Sequence, residues 1–357
     1  MIDGKRVIDA DGHIIEPGGL FTQWTGERLP LDLPASTPMT PCGNFDLLKD
    51  QLDHGFDTAS YLRAMDAQGI DVAVVYPSIG LFAPFLPELS AAESAEACRA
   101  YNDWIAGYCD ASNGRIFGAG ILPLADPGAA AKEVARCAGD GLVAAMARPN
   151  FLYGRNLGDA VYDPMHAAIE ELDLVLAVHE GLGLRGQPTI GRDRFSGFAA
   201  RHAMSHPMEQ MAAMASLFFD GALDRHPNLR VAFLESGTGW LPYWLHRLDE
   251  HHEWMAETEL DWHELTPSEY FARQCAISSE AEDTLAMTAV DAVGATHVMW
   301  ASDFPHPDAV FPDSARVFAG NLAVHGANDV QIDAVLWSTP LDFYKLRGRI
   351  GGLPDDN

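Results

Sequence analysis

An aspartate and a histidine stand two apart in DADGH (Asp11, His13), and a histidine closes the apolar run LVLAV (His179). A glutamate closes VAFL (Glu235), and an aspartate follows HVMWAS (Asp303). These are ligand types for a divalent ion, and imidazole mixed with carboxylate suits zinc, iron or manganese. Residues i and i+2 of a strand point to one side, so Asp11 and His13 can act together. A carboxylate delivered by a barely polar strand, as at Asp303, is expensive to bury without a cation or donors. The joint occurrence carries more weight than any one motif: several strand ends in chain order each supply ligand-type residues, which reads as a metal site of one or two ions, zinc first. Arg148, at the end of the run before Pro149, could clamp a substrate carboxylate or carbonyl, or pair with a neighbouring carboxylate. Glu235 could be a ligand to a second ion, a general base, or an ion-paired carboxylate. His206 could supply an imidazole beside it, and Glu280 stands further out as support.

Such residues need elements that converge. Short apolar, β-branched runs recur at 7–10, 72–76, 117–122, 142–147, 174–178, 230–234, 276–279 and 297–301. Helical periodicity occupies stretches between them, at 91–111, 128–138, 162–171, 208–225, 280–293 and 328–336. Eight strands alternating with helices imply a parallel sheet, and favour a closed (β/α)8 barrel over an open one. Catalytic residues of such barrels lie at the strand C-terminal ends, where the residues above fall. Two connections, 18–60 and 182–206, are too long for simple crossovers and are expected to wall the pocket. The expected architecture is therefore an α/β chain of one domain, 1–357, with those two loop insertions.

The segments IDADGH, AVHEG, DRHPNLRVAFLESGTGW and WASDFPHPD together resemble the amidohydrolase-related family of the amidohydrolase superfamily, which includes decarboxylases similar to aminocarboxymuconate-semialdehyde decarboxylase. The resemblance covers nearly the whole chain. It implies a distorted TIM barrel with a catalytic divalent metal at the strand C-termini. The family's first motif falls on Asp11 and His13, its strand-5 metal histidine on His179, and its strand-8 metal aspartate on Asp303. Many members carry a histidine where this chain has Glu235.

Composition narrows the class. The 357 residues carry 51 Asp plus Glu against 23 Lys plus Arg, a formal charge of −28. Nucleic acid and anionic membrane are polyanions that such a field repels. No apolar run is long enough to span a bilayer. Five scattered cysteines without CxxC spacing read as reduced thiols of a cytoplasmic protein. The expected partner is a small-molecule substrate, with a homo-oligomer, a dimer, as the assembly. GxSxG and GxxxxGK[ST] are absent, so serine-nucleophile and phosphate-cradle chemistry drop out.

Two reactions fit a metal at a barrel mouth. In hydrolysis the ion activates a water and Asp303 takes its proton; in decarboxylation the ion chelates the substrate carboxylate and an acid protonates the carbon. Asp11, Glu235 and Asp303 together outweigh one divalent ion, which disfavours an anionic substrate. The charge count therefore predicts hydrolysis of an amide, ester or related acyl bond, with decarboxylation as the alternative and a non-catalytic binding barrel behind both.

Overall fold

The computed structural model describes residues 1–26, 41–183 and 186–351. Eight parallel strands follow one another in chain order: β1 (Ile8–Ile14), β2 (Val72–Pro77), β3 (Ile116–Ile121), β4 (Ala144–Ala147), β5 (Val175–His179), β6 (Arg230–Leu234), β7 (Cys275–Ser279) and β8 (Val298–Trp300). Helices return the chain between them: α1 (Thr58–Gln68), α2 (Ala91–Asp110), α3 (Pro127–Gly139), α4 (Asp163–Glu171), α5 (Phe198–Phe219), α6 (Leu241–Met255), α7 (Ala286–Val293) and, after β8, α8 (Ser314–Val324). An additional helix, Pro267–Gln274, sits between α6 and β7. This is the (β/α)8 barrel expected.

The strands are covered on both faces, which is why β2, β3, β4 and β8 read as unbroken apolar runs, whereas β1 alternates Asp9, Asp11 and His13 with apolar residues. Every residue of β1, β2, β3, β4 and β5 is buried. Local chemistry starts the helices. Ser90 and Glu93 form a capping box at α2, and Asp126 accepts from Gly128 and Ala129 ahead of Pro127 in the first turn of α3.

The barrel closes between β1 and the segment after β8. Asp303 N donates to Asp11 O at 3.1 Å and His13 N to Phe304 O at 2.7 Å. The Asp9 carboxylate accepts from both the backbone N and the Oγ of Ser302. The β1–β2 register shifts between Asp9 and Gly12. A Cβ at Gly12 would meet the Tyr61 hydroxyl at 2.7 Å and Asp9 Oδ2 at 2.8 Å, so glycine fits between Asp11 and His13 where a side chain would displace Tyr61 or Asp9.

Three expectations need correction or limits. β1 runs on through Ile14, so Asp11 and His13 lie within the strand rather than after it. The helix expected from 208 begins at Phe198, with Pro207 inside it. Proline favours a first turn, which points to a start near 207. Here it is tolerated because the helix is pinned from one face: Gln210 Nε2 donates to Val178 O at 2.7 Å and Leu234 O at 2.9 Å, at the ends of β5 and β6. Of the expected loops, 27–40 and 184–185 lie outside the described residues. The described part of 18–60 includes α1 from Thr58 and does reach the strand C-terminal face, where Cys42 N donates to His306 O at 2.9 Å. All five cysteines are free. Among the described residues no helix is long and apolar enough to cross a membrane.

Candidate metal centre

β1 and β5 bring two imidazoles nose to nose. His13 Nε2 and His179 Nε2 are 3.2 Å apart, and both side chains are fully buried. The outer nitrogen of each faces a carbonyl: His13 Nδ1 donates to Pro77 O at 2.9 Å and His179 Nδ1 to Glu180 O at 2.6 Å. A carbonyl only accepts, so both protons sit on Nδ1 and both Nε2 lone pairs face inward. Two acceptors this close need a shared cation. Ligand nitrogens at about 2.05 Å from a tetrahedral ion would stand about 3.3 Å apart.

Carboxylates complete the set. Asp11 Oδ1 is 3.4 Å from His179 Nε2, and Asp303 Oδ1 is 3.5 Å from His13 Nε2. Glu235 Oε2 lies 3.3 Å from His179 Nε2 and 3.6 Å from His13 Nε2. Asp11 Oδ1 and Glu235 Oε2 are buried without a hydrogen-bond partner, and Asp303 Oδ1 has only the His306 ring beside it. Such stranded acceptors cost free energy unless a cation meets them. The donor set therefore fits a divalent ion held by Asp11, His13, His179 and Asp303, with Glu235 at its edge.

Burial acts in opposite senses on the two ligand types. It pushes the Glu235 and Asp303 carboxyls well above their usual range, each reinforced by neighbouring carboxylates. It holds the His13 and His206 imidazoles well below theirs, reinforced by the other histidines. His13 and His206 are thus poor counter-charges for the carboxylates, a role that a cation would fill. Glu280, behind the cluster, is raised to about 8 by burial and by Asp11.

His206, placed by α5, is buried beside the centre, its Nε2 3.7 Å from Glu235 Oε1 and 3.6 Å from Glu180 Oε2. Arg148 goes elsewhere. Its guanidinium pairs with Glu180 at 2.9 Å, donates to Asn150 and Leu81 O, and lies over the Phe82 ring. It is 1% exposed, and of the two roles expected for it, substrate clamp or carboxylate partner, the structure shows the pairing with Glu180, beside the loop after β5. A cavity of about 460 Å³ opens beside the centre, reached by His202, His206, Glu235, Glu280, Asp303 and Asp308, with no Lys or Arg among its described lining residues.

Two histidines were not foreseen as site residues. His306 stacks on His13 with ring centroids 3.8 Å apart, and its Nδ1 is 2.6 Å from Asp303 Oδ1. The signal was its place three residues after Asp303. His202 lies one helical turn before His206, their centroids 4.6 Å apart. That i, i+4 spacing was visible, but it fell in a stretch expected to be loop.

Known proteins share this architecture. Gamma-resorcylate decarboxylase of Rhizobium sp. (strain MTP-10005) is 27% identical over 256 residues, 68% of this chain and 75% of that protein. The crystal structure of 5-carboxyvanillate decarboxylase from Sphingomonas paucimobilis superposes with a TM-score of 0.75 at 22% identity, covering 96% of this chain and 99% of that one. A dihydroxybenzoic acid decarboxylase from Polaromonas sp. JS666, solved with bound manganese, gives a TM-score of 0.71 at 18% identity over 96% and 97% of the two chains. Residues 8–346, from β1 to beyond α8, match the amidohydrolase family model, and the chain belongs to the amidohydrolase family.

Proposed function

We propose that this protein is a metal-dependent carboxy-lyase that removes a carboxyl group from a small carboxylic acid without oxidation. The observation that carries the reading is the inward-facing pair His13 Nε2 and His179 Nε2, ringed by partnerless carboxylate oxygens. The curated relative spanning two thirds of the chain, named for the same chemistry, supports it. The charge count had pointed to hydrolysis, and the relatives turn that preference round. Counting carboxylates does not say how many positive charges they hold, and so does not exclude an anionic substrate.

A divalent ion held by Asp11, His13, His179 and Asp303 would supply the positive charge that anchors a carboxylate and draws electrons from the bond to be broken; manganese, zinc and iron all suit this ligand set. The rest falls to the chain. The bond from carbon to carboxylate breaks, CO2 leaves, and the electron pair stays on the carbon, which must take a proton. His306, with Nδ1 2.6 Å from Asp303 Oδ1 and 4.0 Å from Glu235 Oε2, is placed to relay that proton from solvent, taking one up at one ring nitrogen as it gives one away at the other. Its ring is held by stacking on His13 and by Ser78 Oγ at 3.2 Å from Nε2. Glu235 and His206 close the opposite side.

Hydrolysis of an acyl bond is the second reading, favoured by Glu235 standing beside both imidazoles in place of a neutral ring. One experiment separates them. Metal-loaded protein is incubated in D2O with a panel including 2,6-dihydroxybenzoate and 5-carboxyvanillate, and with a panel of esters and anilides. CO2 release with deuterium at the vacated carbon is expected. Turnover of the ester or anilide panel alone would replace decarboxylation by hydrolysis.

A further inference from the structure

Glu235 faces two different histidine sets with its two oxygens. Oε2 is turned to His13 and His179, at 3.6 and 3.3 Å, while Oε1 is turned to His206 Nε2 at 3.7 Å. His206 Nε2 is a buried ring nitrogen with no hydrogen-bond partner, on a side chain 7% exposed. His202 precedes it by four residues on α5, so the two imidazoles lie on one helix face, a spacing that holds a cation in many metal-binding helices. Gln210, four residues further on, ties that same face to the carbonyls that end β5 and β6. The pair is thus held over the barrel mouth rather than free to swing. One ligand atom each from His202, His206 and Glu235 falls within 4.8 Å of the others. Asp308 Oδ2, 3.9 Å from His202 Nε2, is within reach of the same spot.

We infer that a second divalent cation binds between His202, His206 and Glu235, with the Glu235 carboxylate bridging it to the cation held by Asp11, His13, His179 and Asp303. The inference rests on the reading of that first centre. A carboxylate can bridge two ions through its two oxygens, whereas a neutral imidazole offers one lone pair; this gives a physical reason for glutamate at the end of β6. The second ion also settles the charge count. Two divalent cations carry four positive charges, which offset Asp11, Glu235, Asp303 and Asp308 and so remove the excess negative charge that disfavours an anionic substrate. Glu180, the other carboxylate near His206, is already paired with Arg148. The two-histidine, one-carboxylate set suits manganese, iron, cobalt or zinc.

The test uses full-length protein stripped by a chelator, dialysed, and titrated with Mn2+ by calorimetry, with bound metal confirmed by elemental analysis. The wild type is expected to take up two equivalents, the second more weakly. His206→Gln and, separately, the half-buried His202→Asn should each take up one. His179→Ala should lose the tighter equivalent instead. Electron paramagnetic resonance of the doubly loaded wild type should show exchange-coupled Mn2+, and Glu235→Gln should remove that coupling. A wild type that saturates at one equivalent, lost in His179→Ala and kept in His206→Gln, would overturn the second site while leaving the first centre standing. Two equivalents retained in both His202→Asn and His206→Gln would overturn it as well. No uptake at all would overturn both centres.

Discussion

Glu235 and Asp303 leave their strands by the same backbone departure. Each stands just past a strand end with φ in the left-handed region, +46° and +52°, and each turns a carboxylate oxygen toward His13 Nε2, at 3.6 and 3.5 Å. Residues with a Cβ reach that region at a cost of about 1–3 kcal/mol each, and persist there only where the surroundings impose it. Ser278 Oγ accepts from Glu235 N at 3.0 Å, and Asp11 O accepts from Asp303 N at 3.1 Å. The fold thus carries strain on both sides of one imidazole to make two carboxylates converge.

That strain predicts an inverse relation between stability and binding. In the metal-free protein, Glu235→Gly should raise stability by about 1 kcal/mol or more, since glycine adopts a positive φ freely and a buried carboxyl disappears. Glu235→Ala keeps the strained turn and should gain less. Urea unfolding of the three proteins measures this, and a Glu235→Gly protein weaker than Glu235→Ala would show that the turn carries no strain.

His179→Ala and Asp303→Ala should each abolish co-purifying metal and turnover while the far-ultraviolet circular dichroism stays that of the wild type. Each removes an inward-facing ligand and leaves the strand backbone intact. Full metal content and rate in both would remove the centre from these residues.

Arg148→Ala should act on stability. Truncating one partner of a buried ion pair leaves Glu180 uncompensated, at a cost of about 3–5 kcal/mol. Denaturant midpoints would show the loss, and Glu180→Gln in the same chain should recover part of it. An unchanged midpoint with a raised KM would instead restore the substrate-clamp role.

Burial raises Asp9 and Glu16 to about 7 and Glu280 to about 8. Folded carboxyls with raised pKa values bind protons that the unfolded chain has released. Their contribution is fully present below the unfolded carboxyl range and is lost as pH rises through the folded values. The melting temperature of metal-free protein should therefore fall between about pH 7 and about pH 8.5, above the range in which unfolded histidines titrate and where these carboxyls ionise. Asp9→Asn can keep the contact with Ser302, and should flatten the slope. A melting temperature that rises across this interval would contradict the sign.

What the chain determines by itself is whatever burial writes into local pattern. Strands covered on both faces are mostly apolar, so the eight were legible as short runs. A carboxylate or imidazole in or after such a run is conspicuous, which made Asp11, His13, His179, Glu235 and Asp303 legible as candidates. Asp57, Ser90 and Asp126 each cap a helix start in the structure, a contact confined to one turn. Pro207 misled because its preference for a first turn is local, whereas the Gln210 bonds that let α5 run through it come from β5 and β6. Arg148 had an acidic chain of partners to choose from, and only packing against Phe82 and Leu81 commits it to Glu180. His306 and His202 entered the site through loop and helix placement, which no periodicity reports. Which oxygen of Glu235 faces which histidine is settled by a left-handed turn closed against β7. Periodicity records how deeply a residue is buried, whereas convergence on one point depends on contacts between strands far apart in sequence, and those exist only once the barrel has closed.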